Sequence, residues 1–165
     1  MPPPSVYNRH DMQSLPVQED LLRMPCACAT LRRATRVVTQ LYEDAFRPFG
    51  LTAPQFTVMA VLHAFGEMPH NRLGELLATD PTTLTRILQL MSRRGWLQTT
   101  TGKDRRQRLI NLSPAGSELF TQAKPAWLAA QARLQQTFGF EDWGKALTMV
   151  DRLAEGAQQA IDQTG

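Results

Sequence analysis

Seven basic side chains, Arg86, Arg93, Arg94, Lys103, Arg105, Arg106 and Arg108, lie between Asp80 and Ser113, opposed only by Asp80 and Asp104. That stretch carries +5 in a chain whose formal total is +3, so the remainder sums to −2. Concentrating all the excess positive charge in about thirty residues is the footprint of a polyanion-binding surface. The same stretch holds Asp80-Pro-Thr-Thr-Leu-Thr-Arg86 and Gln89, short hydroxyls followed by two side chains with bidentate hydrogen-bonding geometry. Arginine matches the guanine edge and glutamine the adenine edge in a DNA major groove. Other chemistry is not supported. The chain has no Gly-rich phosphate loop, no nucleophile elbow and no paired-carboxylate setting, and an enzyme is not expected. Cys26 and Cys28 stand one residue apart, and His10, His63 and His70 do not complete a metal-ligand spacing, so neither a metal nor another cofactor is expected.

The surrounding elements must position these side chains. Residues 1–16 are Pro-rich and aperiodic, and residues 1–25 are expected to form a mobile arm. From about Cys26 to Phe49, Cys28, Leu31, Thr35, Val38, Tyr42, Ala45 and Phe49 recur at helical spacing, and Pro48 and Gly50 stop the helix. Thr52 caps a second helix with Pro54 in its first turn and Phe56, Val58, Met59, Val61, Leu62 and Phe65 as its apolar surface. A short third helix is expected over about Arg72–Ala78, with Asn71 as cap and Leu73, Leu76 and Leu77 buried. Asp80-Pro81 opens a fourth helix that turns Leu84, Ile87, Leu88 and Met91 inward and ends at Gly95. The period then changes from 3.6 to 2. Residues 97–101 and 108–112 read as two strands around a basic tip. Two long helices follow, one capped by Ser113-Pro114 and running from about Ala115 to Phe138, with Pro125 expected to bend it, and one from about Glu141 to Ile161. The second carries Trp143, Ala146, Leu147, Val150 and Leu153 on one side.

Helix–turn–helix followed by a basic hairpin is a winged helix. The expected fold is mainly α, with a two-stranded β-wing and long N- and C-terminal dimerisation helices. Within a domain spanning 26–165, residues 52–112 form the DNA-binding core, and 26–49 and 115–161 the dimerisation helices. Thr82, Thr83, Arg86 and Gln89 are placed to read bases, with Thr85 beside them among the DNA-binding residues, and first-turn N–H groups to meet phosphate. Lys103, Arg105 and Arg106 form the wing tip, the two arginines suited to a minor groove. The partner is double-stranded DNA. The contrasting reading, a helical protein-interaction module, leaves the basic hairpin without a role. No apolar run approaches the length of a membrane span, no membrane partner is expected, and the cytoplasm is the expected location.

The run Leu73-Gly-Glu-Leu-Leu, Asp80-Pro-Thr-Thr-Leu-Thr-Arg86, Arg93-Arg-Gly-Trp-Leu97, Asp104-Arg-Arg and Leu112-Ser-Pro-Ala-Gly116 resembles the MarR (multiple antibiotic resistance regulator) family, as does Gly50-Leu-Thr with Pro-Gln-Phe56 upstream. The resemblance covers roughly residues 26–160. It implies a homodimer built from the first and last helices, a palindromic operator, repression by promoter occlusion, Asp104 bracing the wing and Arg106 reaching the minor groove.

Two signals are compatible with such a regulator. Relatives often bind aromatic or phenolic acids, and here Arg32, Arg36 and His63 are the candidates to hold the carboxylate of such an effector. Alternatively, Cys28, placed 14 residues before Tyr42, resembles the reactive cysteine of the organic-hydroperoxide-resistance branch, with Tyr42 supporting the thiol from the partner subunit. Fourteen helical residues span about 21 Å, so that pairing requires a dimer. Arg32 and Ala53 stand where that branch has tyrosines.

Overall fold

The computed structural model describes residues 26–102 and 108–163. The chain divides into two units, residues 1–38 and 39–165, each described by itself. The expected arm at 1–25 lies outside the described residues. Helix α1 (Ala27–Phe46) begins in the first unit and ends in the second. In the first unit Cys26, Cys28, Arg32, Thr35, Arg36 and Val37 are exposed, while Leu31 and Val38 are partly covered.

The second unit is organised around α2 (Ala53–Phe65), which packs against α3 (His70–Leu77), α4 (Pro81–Arg93), α5 (Pro114–Phe138) and strand β3 (Arg108–Leu112). The start of α2 is over-determined. Thr52 and Gln55 exchange a reciprocal capping box, at 3.4 Å for Gln55 N to Thr52 Oγ1 and 3.1 Å for Thr52 N to Gln55 Oε1. Glu43 Oε1 accepts from Ala53 N at 2.8 Å. Phe56, Val58, Met59 and Leu62 of α2 are buried, and Phe56 stacks between Phe46 (centroids 4.4 Å) and Phe120 (5.2 Å). The expected contribution of Phe65 fails, because the last turn of α2 leaves it 69% exposed.

The sheet has three strands in the order β1-β3-β2, one more than expected. Strands β2 (Leu97–Thr101) and β3 pair antiparallel with Leu97 opposite Leu112 and Thr101 opposite Arg108. The added strand β1 (Met68–Pro69) sets Met68 opposite Ile110 on the other edge of β3. Proline is tolerated there because an edge strand needs no N–H on its open side. This pairing also corrects the third helix. Pro69, drawn into the sheet, becomes the residue before the helix, so α3 starts at His70 and Asn71 lies inside it. Leu73 is fully buried, but Leu76 is 40% exposed rather than buried.

Helix α5 begins at a crowded junction. Ser113 Oγ accepts from Gly116 N at 3.0 Å and donates to Gly95 O at 2.6 Å, while Ser113 N donates to Trp96 O at 3.0 Å. Gly116 lies against the Trp96 carbonyl so closely that a Cβ there would fall 2.1 Å from its oxygen. Helix α5 continues through Pro125, which lacks the N–H that would reach back to Thr121. Helix α6 (Phe140–Asp162) has no fully buried residue, and Leu147, Val150 and Leu153 are nearly half exposed. Among the described residues no helix is long and apolar enough to cross a membrane.

Because the obstruction at Gly116 is backbone and cannot swing aside, Gly116→Ala is expected to cost about 1–3 kcal/mol by overpacking. Ser113→Ala, which removes one cap, should cost about 1 kcal/mol. Urea denaturation of both variants checks the order; a Gly116→Ala midpoint equal to wild type would show that the junction yields freely.

Candidate nucleic-acid interface

Helix α4 is amphipathic in the expected sense. Leu84, Leu88 and Met91 are buried and Ile87 half-buried, while Thr82, Thr83, Thr85, Arg86, Gln89, Ser92 and Arg93 are exposed. Asp80 caps it, its Oδ1 accepting from Thr82 N at 3.1 Å and Thr83 N at 2.9 Å. Hydrogen bonds from the Thr83 side chain and then its N–H hold the Asp80 carboxyl below the usual carboxylate range, against a small opposing effect of desolvation. This cap corrects one expectation. Pro81 has no N–H, and those of Thr82 and Thr83 are taken by Asp80, so these first-turn groups are not free to meet a phosphate.

Between α4 and the sheet runs an open groove of about 580 Å³ with Leu88 and Ile110 in its lining and His70, Gln89, Arg93 and Arg108 among its polar groups. Thr85 also lines it, its hydroxyl donating to Pro81 O at 2.7 Å and lying 3.2 Å from His70 Nε2. Thr100 Oγ1 donates to Glu67 Oε2 at 2.8 Å, tying β2 to the turn that precedes β1.

The basic residues divide into two kinds. Arg94 is structural: its guanidinium donates to Gly50 O at 2.7 Å and stacks over Trp96, 4.8 Å from the ring centroid. Arg86, Arg93 and Arg108 are exposed and form no ion pair among the described residues, where the pairs are Arg47–Asp44, Arg72–Glu75 and Lys145–Asp142. Lys103, Asp104, Arg105 and Arg106 lie outside the described residues.

Sequence reasoning counted Arg93 and Arg108 in the basic stretch without placing them beside Gln89, and it did not single out His70, Ser92 or Thr99. Arg93 follows Gln89 by four and Arg86 by seven, so helical spacing was enough to find it. Thr99 and Arg108 needed the strand register, and His70 a contact between separate helices.

The other candidates fall in both units. Arg32 and Arg36 are exposed in the first unit. His63, in the second, is exposed with its ring 4.6 Å from that of Phe120, so it is not a core histidine. Cys26 and Cys28 are exposed free thiols, so Cys28 is not packed in this chain. Tyr42 donates its hydroxyl to Gln131 of α5, and partial burial raises its pKa.

The sequence model of the MarR family matches residues 49–107, the stretch from the turn before α2 through the wing tip. Beyond that stretch, the transcriptional regulator MosR of M. tuberculosis, solved in complex with DNA, superposes with a TM-score of 0.75. It is 34% identical, over 82% of this chain and 98% of that one. The chain belongs to the MarR family. Its fold is accordingly that of a winged-helix transcriptional regulator with helices at both ends. Among curated MarR-like relatives, the HTH-type transcriptional regulator YwoH of Bacillus subtilis is 24% identical over 112 residues, covering 68% of this chain and 82% of that protein. The organic hydroperoxide resistance transcriptional regulator of the same organism is 28% identical over 97 residues, covering 58% and 66%.

The Asp80 cap gives helix α4 a pH dependence of known sign. A carboxyl whose folded pKa is depressed contributes stability that is complete above its unfolded value, about 3.9, and is lost as pH falls through the lower folded value. Between pH 6 and pH 3 the urea midpoint should fall further in wild type than in Asp80→Asn, which keeps an acceptor but no charge. Equal falls would show that the cap does not depend on ionisation.

Proposed function

We propose that this MarR-family chain is a homodimeric repressor that binds a palindromic operator and leaves it when a small aromatic carboxylate binds. The carrying observation is the exposed face of α4, which carries Arg86, beside a groove lined by Arg93 and Arg108; none of the three has an acidic partner among the described residues. An unpaired cationic surface next to a polar helix face suits DNA and gives a catalyst nothing to work with. The DNA complex of MosR, a relative at 34% identity, supports the same partner.

In this reading residues 52–112 are the DNA-binding core. Thr82, Thr83, Thr85, Arg86 and Gln89 face base edges in the major groove. Lys103, Arg105 and Arg106 contact the adjoining backbone and minor groove, and Asp104 braces the wing. Residues 26–49 and 115–161 supply the dimer. Supporting this, Leu147, Val150 and Leu153 lie on one side of α6 at helical spacing and stand in water in the single chain. Two recognition helices held by a two-fold axis require half-sites about one duplex turn apart. Arg32, Arg36 and His63 are separate candidates to hold the effector carboxylate. Release needs only a few kcal/mol of differential affinity for the two arrangements of the dimer. Repression in the cytoplasm completes the reading.

One observation favours a second signal. Cys28 is exposed near the start of α1, where an oxidant can reach it, and the hydroperoxide-resistance relative is 28% identical. Against it, the one hydrogen of the Tyr42 hydroxyl already goes to Gln131 and cannot also support a thiolate.

Fluorescence-anisotropy titrations against DNA upstream of the chain's own coding sequence and against random duplex test the proposal. Arg106→Ala should weaken binding to both and flatten the salt dependence by about one phosphate contact per subunit, whereas Gln89→Ala should relax preference for the specific duplex. Equal loss on both duplexes for Gln89→Ala would remove it from base reading. Release by an aromatic acid supports the effector; release by hydroperoxide, abolished in Cys28→Ser, replaces it with the thiol. Leu153→Asp should sediment as a monomer and bind the operator at least tenfold more weakly, the loss of one of two linked half-site contacts; an unchanged dimer would place the interface elsewhere.

A further inference from the structure

Among the polar side chains on the exposed face of α4, Thr85 has lost its capacity to donate. A hydroxyl carries one hydrogen, and that of Thr85 goes to Pro81 O at 2.7 Å. His70 Nε2, 3.2 Å away, must therefore be the donor to Thr85 Oγ1. Pinned between the first turn of its own helix and the first residue of α3, the hydroxyl keeps one acceptor position and no hydrogen. Besides that acceptor position the side chain offers its methyl group, on a residue that is exposed. It borders a groove whose lining includes the apolar side chains of Leu88 and Ile110.

We infer that Thr85 reads DNA through its methyl group, by apolar contact with the C5-methyl of a thymine. The inference rests on the reading that places α4 in the major groove. There, guanine offers only acceptors, O6 and N7, and thymine offers the O4 acceptor beside its methyl. A side chain without a hydrogen to give can bond neither guanine nor thymine O4, and its one remaining acceptor position can take only an N–H of adenine or cytosine. The thymine methyl is the one major-groove feature that an alkyl group recognises. His70 is then a positioning residue, holding the Thr85 rotamer from a neighbouring helix, and Gln89 and Arg86, whose side chains have no partner among the described residues, carry the hydrogen-bonded reading beside it.

The test uses a duplex selected by the wild-type protein from a random library, with each thymine replaced singly by deoxyuridine, which removes only the methyl. In wild type, one thymine in each half-site should show about a fourfold loss of affinity, the value of one buried methyl. Thr85→Val, which keeps a methyl and drops the hydroxyl, should retain that discrimination; Thr85→Ser, which does the opposite, should bind thymine and deoxyuridine equally. Discrimination lost in Thr85→Val and kept in Thr85→Ser would assign the reading to the hydroxyl and overturn the inference. Silence of every deoxyuridine would overturn it too. In that case, relaxed selection by Gln89→Ala would leave α4 in the groove. If the Gln89 and Thr85 variants all select the wild-type sequence, the placement of α4 fails as well.

Discussion

The carbonyl of Trp96 is where four elements meet. It accepts from Ser113 N, and it is approached by Gly116 at a distance that excludes any side chain. Ser113 closes the same knot with a bond to Gly95 O. The end of α4, the roots of β2 and β3 and the first turn of α5 are thereby joined through backbone atoms. Arg94 adds a tie from this corner to Gly50 and packs its guanidinium on Trp96. These contacts tie α4 to the hairpin without using Arg86, Gln89 or Arg93 on its outer face. That face is left free to be polar and basic.

This division of labour explains how the charge is used. The arginine that stabilises the fold, Arg94, is satisfied by a carbonyl and an aromatic ring, while Arg86, Arg93 and Arg108 have no acidic partner among the described residues. Within a single molecule such unpaired cations add repulsion and no packing, and a bound phosphate backbone reverses the sign of that contribution. The apolar side of α6 poses the complementary problem. It has no fully buried residue, and a second copy of the helix is the simplest surface that would cover it.

Much of this architecture was legible in the residues. Asp80-Pro81 and Ser113-Pro114 announce two helix starts through cap chemistry, and the change of period after Gly95 locates β2 and β3 to the residue. Local rules suffice there because each signal acts within one turn or one strand. What escaped was non-local. A two-residue strand has no period, so β1 emerges only from its pairing with β3, and the cap of α3 moves with it. The same holds for the site: Thr85, Arg86 and Gln89 follow from spacing, but the bond from His70 that fixes how Thr85 can act requires two helices in place. Capping also has a consequence that a sequence pattern hides, because Asp80 consumes the very N–H groups that a bare helix end would offer to phosphate.

The central claim is that α4 and the adjoining strands form the DNA-facing surface. Amide chemical-shift mapping by transverse-relaxation-optimised NMR, titrating the labelled protein with a duplex that it selects, tests this most directly. The account predicts the largest perturbations over Thr82–Arg93 and at Thr99, Thr101 and Arg108, with α6 nearly silent. Perturbations centred on α6, with those α4 residues unmoved, would contradict it.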